Sequence, residues 1–309
     1  MKTRAVVFAG QGAQFVGMGK DLAEAFPECR ALFDKASAVM GFDLLKLCAE
    51  GPIESLTKSD NCQPAIFVTS VACYTALKNR VPGLQAAGLA GLSLGEWTAL
   101  HVAGALSFED TVRILRARGQ FMQEACNERQ GGMVSVMGLP MAELEKVCAQ
   151  AGVQIANINS PEQIVLSGDK TKIGEAEKLA QAAGAKKTVP LPVAGAFHSV
   201  LMATAATRLE TLLAGVSFAP TGVPVVSNVT GQPHGDPASI KAAMVRQVTS
   251  SVQWVSGVEW LKRAGVTEYV ECGPGRVLAG LIKRIDKDAA AVSIQDVATL
   301  DKAVAALNA

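Results

Sequence analysis

The pentapeptide Gly91–Leu92–Ser93–Leu94–Gly95 constrains this chain more than any other stretch of it. An apolar run over 88–92 leads into it, and a good helix former over 96–103 follows. Strand, tight turn and helix in succession is the grammar of an α/β protein. G-x-S-x-G at such a turn is the pattern of a nucleophile elbow, where the backbone bends so sharply that a side chain at either glycine would clash. The serine is then held in a strained conformation with its hydroxyl outward. The helix beginning at Leu94 directs its free N–H groups and positive dipole end to the same point. An oxyanion forming there meets a donor already in place. A glycine- and serine-rich pentapeptide alone is also an ordinary turn. The flanking strand and helix patterns favour the elbow.

The rest of the chain carries the same grammar with one interruption. The run over 5–9, ending at Gly10, reads as a strand buried on both faces of a parallel sheet. Helical patterns follow, broken by Pro27, Gly41 and Gly51. Residues 132–193 have a different order: strand over 133–137, helix over 141–150, strands over 153–157 and 164–167, helix over 172–183, strand over 187–191. That βαββαβ order is ferredoxin-like and forms a compact unit by itself. The spacing predicts a large α/β domain from 1–128 and 195–309, with a small domain, 129–194, inserted into it. Residues 223–226 and 269–271 are expected as returning strands of the main sheet. The length of 309 residues and a hydrophobic share of 49% suffice for such a core.

Charge and cysteine usage exclude several function classes. The formal net charge is +1 with both signs interspersed, so the basic stripe of a nucleic-acid binder is missing. No uncharged apolar stretch reaches the ~20 residues that span a bilayer, and the run after Met1 is too short for a signal peptide. The expected location is cytoplasmic, with no membrane partner. Seven cysteines lie at irregular spacing without a CxxC or a Cys/His cluster, which fits reduced buried thiols rather than disulfides or a metal site. Gly10–Gln11–Gly12 lacks the third glycine of a dinucleotide fingerprint.

A serine nucleophile needs a base, and the chain has three histidines. His101 lies eight residues past Ser93 on the expected helix, about 12 Å along its axis and out of reach. His234, in the turn-rich 231–236, is expected to be solvated. His198 lies where the small domain rejoins the large one, a place where pockets form. It is the best base by elimination, although sequence order alone does not put it beside Ser93. Arg113, Arg116 and Arg118 are, by spacing, equivalent charges on one helix.

Seven segments in order carry a resemblance. They are Phe8–Ala9–Gly10–Gln11–Gly12–Ala13–Gln14, the elbow through Glu96, Arg116–Ala117–Arg118–Gly119–Gln120–Phe121–Met122–Gln123, Asn157–Ile158–Asn159–Ser160–Pro161, Gly195–Ala196–Phe197–His198–Ser199, Val245–Arg246–Gln247 and Glu271–Cys272–Gly273–Pro274–Gly275. From end to end the chain resembles the malonyl-CoA:acyl carrier protein transacylase family. The resemblance implies a large α/β-hydrolase-like domain with a parallel-sheet core, plus the small inserted ferredoxin-like α+β domain. It implies a monomer without cofactor, with malonyl-CoA as thioester substrate and acyl carrier protein as partner, feeding fatty-acid synthesis.

Roles follow from the resemblance one residue at a time. Ser93 resembles the nucleophile and His198 the base, with the backbone carbonyl of Gln247 in place of a triad acid. The backbone N–H groups of Gln11 and Leu94 resemble the oxyanion hole. Arg118 resembles the holder of the malonyl carboxylate, for which a guanidinium fork is suited. Phe197 resembles a bulky residue that crowds a methyl on the α-carbon, and Asn159 falls in a substrate-binding motif. Leu92 departs from the histidine most relatives carry before the serine, which bears on acyl selectivity rather than on the nucleophile. Trp97 is read as packing. Two further readings share the elbow: a stand-alone acyltransferase of a polyketide synthase, and a serine thioesterase or esterase. Lys187, Arg276, Lys283 and Arg284 are candidates for steering an acidic carrier, or plain solubilising charge.

Overall fold

The computed structural model describes residues 2–308. Its main sheet is entirely parallel, in the order β2-β1-β7-β8, from β1 (Arg4–Phe8), β2 (Gly88–Gly91), β7 (Glu268–Cys272) and β8 (Ala290–Ile294). Ala5, Val6, Val7 and Phe8 are all fully buried. Helices cover both faces of this central strand, which explains its unbroken apolar run. Phe8 pairs with Gly91 on one side and Cys272 on the other. The segments that leave β1, β2 and β7 therefore emerge together at the carboxyl edge, where open α/β sheets place their ligands.

A second sheet is antiparallel, in the order β4-β5-β3-β6, from β3 (Gly131–Met137), β4 (Gln154–Ser160), β5 (Gln163–Asp169) and β6 (Lys187–Pro190). With helices Met141–Ala151 and Lys170–Ala182 it is the ferredoxin-like unit that the sequence order predicts. Alternation along its strands assigns the two faces. Val134, Val136, Ile164 and Leu166 pack under the two helices, whereas Met133 and Val165 join the main core. The edge strand β4 is also tied to the main chain, with Ile158 N–H donating to Val252 O (2.9 Å) and Val252 N–H to Ala156 O (2.8 Å).

Two long helices, Ser59–Arg80 and Phe108–Glu128, lie against each other. Their approach depends on Gly119, since a Cβ there would strike the Ser59 carbonyl. That contact brings Gln63 of one helix to Arg118 of the other.

The structure corrects one expected strand. Residues 223–226 join the main sheet only through an isolated parallel bridge, Val225 to Leu89. The Pro224 carbonyl accepts from Leu89 N–H, but proline has no N–H to extend a ladder. The fourth main strand comes instead from β8, which the sequence reading did not mark. Trp97 is fully buried, as expected.

Candidate active site

Ser93 sits at the N-cap of the helix Leu94–Val102 with φ 55° and ψ −102°. The two elbow glycines are required by contact. A Cβ on Gly91 would collide with the Gly95 backbone, and one on Gly95 with the Phe8 carbonyl. A third residue braces the turn from outside it. Asn228 Oδ1 accepts from Ser93 N–H at 2.6 Å, and its Nδ2 donates to Gly91 O at 2.8 Å. Sequence reasoning passed over Asn228, because its two partners lie more than 130 positions away.

His198 Nε2 stands 2.9 Å from Ser93 Oγ, and His198 Nδ1 stands 2.8 Å from Gln247 O. A carbonyl oxygen only accepts, so Nδ1 bears the proton and Nε2 is free to accept from the serine hydroxyl. Burial, with the Arg118 charge as the second cause, pushes the His198 pKa down to about 4. The imidazole is therefore neutral and ready as a base.

Arg118 is almost wholly buried, at 1% exposure, and its fork is aimed at the same point. Nη2 donates to Ser93 Oγ and to Gln247 Oε1, both at 3.0 Å, and Nη1 donates to Gln63 Oε1 at 2.7 Å. Its Nε finds no partner among the described residues. Burial lowers its pKa to about 10, still far enough above neutrality to keep it charged. Of the three arginines that spacing left equivalent, Arg113 pairs with Asp110 and Arg116 caps Met40 O; Arg118 alone reaches Ser93 Oγ.

Gln247 contributes four contacts, one of them the Arg118 bond to its Oε1. Besides its main-chain carbonyl, its side-chain Nε2 donates to Ser93 O (2.8 Å) and to Glu96 Oε2 (2.6 Å). The Leu94 N–H opens the elbow helix, and the Gln11 N–H leaves β1 in the loop beside it. Neither has an acceptor among the described residues. The Gln11 side chain is held in turn by Gln63 Nε2 (3.2 Å) and Ser59 Oγ (3.1 Å). Gln63, like Asn228, was not singled out from sequence.

Other expectations divide. Phe197 precedes His198 and is buried in the main core. Asn159 lies on β4, and no hydrogen bond joins it to Ser93, His198 or Arg118; its buried Oδ1 is unpaired. His101 is turned to Leu106 O and packed between Phe67 and Phe108. His234 is not solvated: its side chain is 2% exposed and its Nε2 meets Glu96 Oε1 at 2.7 Å. A buried carboxylate needs a partner, and the turn over 231–236 folds back to supply one. All seven cysteines are unpaired and buried. Among the described residues no three His, Cys, Asp or Glu side chains converge as metal ligands, and no helix is long and apolar enough to cross a membrane. Arg276 and Lys283 line one groove with Lys302, while Arg284 is engaged by Gln163.

The arrangement is a serine–imidazole pair with an adjacent buried cation and two free N–H groups nearby. Comparison with known proteins agrees with that chemistry. The family model described as an acyl transferase domain matches residues 5–303. The chain is 41% identical over 304 residues to the malonyl CoA-acyl carrier protein transacylase of Salmonella typhimurium, covering 97% of this chain and 98% of the relative. It superposes on the acyl carrier protein S-malonyltransferase of Vibrio cholerae with TM-score 0.94 and 41% identity, covering 97% and 99% of the two chains. It also matches a malonyl-transacylase solved in complex with a type II PKS acyl-carrier protein, with TM-score 0.95, 39% identity and coverage of 98% and 99%.

Proposed function

The chain belongs to the acyl transferase family, and from that premise we propose that it moves a malonyl group from coenzyme A to the phosphopantetheine thiol of an acyl carrier protein. The observation that carries the reading is the Arg118 guanidinium 3.0 Å from Ser93 Oγ in a buried site. In a malonyl ester the free carboxylate is one methylene away from the ester carbonyl. A cation adjoining the nucleophile fits that short, charged acyl group, and it has no purpose toward a simple alkyl ester. Guanidinium can receive the carboxylate through two parallel hydrogen bonds.

The reaction follows from the same contacts. Ser93 Oγ attacks the thioester carbonyl as its proton passes to His198 Nε2. The Gln247 carbonyl holds Nδ1–H and supports the imidazolium that forms. The Leu94 and Gln11 N–H groups receive the oxyanion. The C–S bond then breaks and His198 returns its proton to the departing coenzyme A sulfur. The carrier thiol gives its proton to His198, attacks the malonyl-serine ester, and leaves with the malonyl group as Ser93 regains its proton. No cofactor enters this sequence; the coenzyme A thioester is substrate. Phe197 crowds a methyl at the α-carbon, which gives preference rather than exclusion, since one methyl is worth only ~1–3 kcal/mol.

The reading includes a division of the chain into 1–128 with 195–309 and 129–194. It also includes a cytoplasmic location, in keeping with a coenzyme A thioester as donor. Fatty-acid synthesis is the proposed pathway. Supplying malonyl-CoA with a pantetheine-bearing fatty-acid carrier and following carrier mass against free coenzyme A tests it. Carrier acylation that outpaces hydrolysis supports the reading; coenzyme A release with an unmodified carrier would make the protein a thioesterase. A polyketide carrier loaded faster than the fatty-acid carrier in the same tube would reassign the pathway.

A further inference from the structure

One buried ionisable pair beside the site has no part in the steps above. Glu96 is fully buried on the first turn of the elbow helix. Its Oε2 accepts from Gln247 Nε2 and its Oε1 from His234 Nε2. Gln247 Oε1, at the other end of the same amide, accepts from Arg118 Nη2. The amide thus stands between a buried carboxylate and a buried guanidinium, which form no direct ion pair.

That separation is not what electrostatics alone prefers. In a site of low effective dielectric a carboxylate and a guanidinium a few ångströms apart attract strongly, and the bidentate pair is their strongest arrangement. A fork closed onto an internal carboxylate has no edge left for a substrate. Two tethers oppose the closure. Gln247 is pinned by Ser93 O as well as by Glu96. His234 is pinned by its own backbone, with its N–H on Val225 O at 2.8 Å, and by the bridge between Val226 and Pro233. The same hairpin carries Asn228, so one segment braces both the elbow and the carboxylate.

We propose that His234 is a positioning residue which, by occupying Glu96 Oε1, keeps that carboxylate from closing onto Arg118 and so reserves the guanidinium for the carboxylate of the acyl group. The inference rests on the malonyl reading of the site. It concerns specificity, since His234 reaches the chemistry only through Glu96.

Single-turnover loading of Ser93 from malonyl-CoA and from acetyl-CoA tests it in the full chain. His234→Leu is expected to raise KM for malonyl-CoA roughly tenfold, the size of a lost hydrogen bond to a charged group, and to leave acetyl loading within about twofold. His234→Gln, whose amide also offers an Nε2 donor, is expected to restore the malonyl KM. Adding Glu96→Gln to His234→Leu is expected to restore it too, because a neutral amide no longer draws the guanidinium. An unchanged malonyl KM in His234→Leu would overturn the proposal, as would equal losses for both acyl groups. If His234→Leu does not fold, His234→Asn, which keeps a donor too short to reach Glu96, serves for the same comparison. Failure of the wild-type protein to load malonyl at all would count against the underlying function and not against this pair alone.

Discussion

Ser93 and His198 are the only non-glycine residues with positive φ among the described residues, at 55° and 56°, and their reacting atoms lie 2.9 Å apart. Each such conformation costs on the order of 1–3 kcal/mol and persists only where its surroundings over-determine it. Here the surroundings can be named. Asn228 and the two elbow glycines hold Ser93; the Gln247 carbonyl holds His198. The strain falls on the two side chains that must meet.

The elbow glycines should therefore be intolerant of the smallest addition. Gly95→Ala places a methyl against the Phe8 carbonyl. We expect a loss of at least 1–3 kcal/mol in stability by urea denaturation, the usual cost of overpacking, together with loss of acylation. A Gly95→Ala protein with wild-type midpoint and rate would refute the close approach.

The brace can be tested without touching Ser93. Asn228→Ala leaves Ser93 N–H and Gly91 O unpaired in a buried turn, and an unpaired buried group costs about 1–3 kcal/mol. Single-turnover acylation should slow by roughly ten- to a hundredfold with little change in KM. A KM effect alone would assign Asn228 to substrate binding instead.

Arg118→Ala should cost malonyl loading about a hundredfold or more, while acetyl loading improves relative to it. On the proposed reading the charge-assisted fork serves only the carboxylate-bearing acyl group. Equal losses for both thioesters would remove the carboxylate role from Arg118.

The pH response has a definite sign. The His198 pKa falls from near 6.5 in the unfolded chain to about 4 in the fold. Between these values the unfolded state binds a proton that the native state does not, so stability falls as pH drops from about 6.5 to 4. The loss from this group is on the order of 3 kcal/mol at full effect. His198→Gln should flatten the stability profile in that window; an unchanged acid slope would contradict the assignment. Part of the depression comes from the Arg118 charge. A bound malonyl carboxylate neutralises that charge, so the acid limb of acylation should lie at higher pH under saturating malonyl-CoA than under limiting malonyl-CoA. Coincident limbs would mean that substrate does not pair with Arg118.

Legibility in the sequence followed locality. The elbow was readable because its physics needs two glycines and a serine within five residues. The small domain was readable because strand and helix periods alternate over short spans, and its observed order of elements along the chain, βαββαβ, is the expected one. The expected strand at 223–226 failed on Pro224, whose missing N–H limits the segment to a single bridge with the main sheet. His234 was misread because turn composition reports backbone preference and says nothing of the buried Glu96 that the turn covers. Gln63 and Asn228 were passed over because their partners come from distant parts of the chain. Arg118 was singled out by family resemblance alone, since three arginines on one helix look alike until Gly119 lets the helices touch.

The central claim is that Ser93 carries the malonyl group between donor and acceptor. Intact-mass measurement of the protein incubated with malonyl-CoA alone, beside Ser93→Ala, tests it most directly. The account predicts a gain of one malonyl group on the wild-type chain only, discharged when a carrier bearing its pantetheine arm is added. A malonyl adduct that also forms on Ser93→Ala, or a wild-type chain that transfers malonyl without ever carrying it, would contradict it.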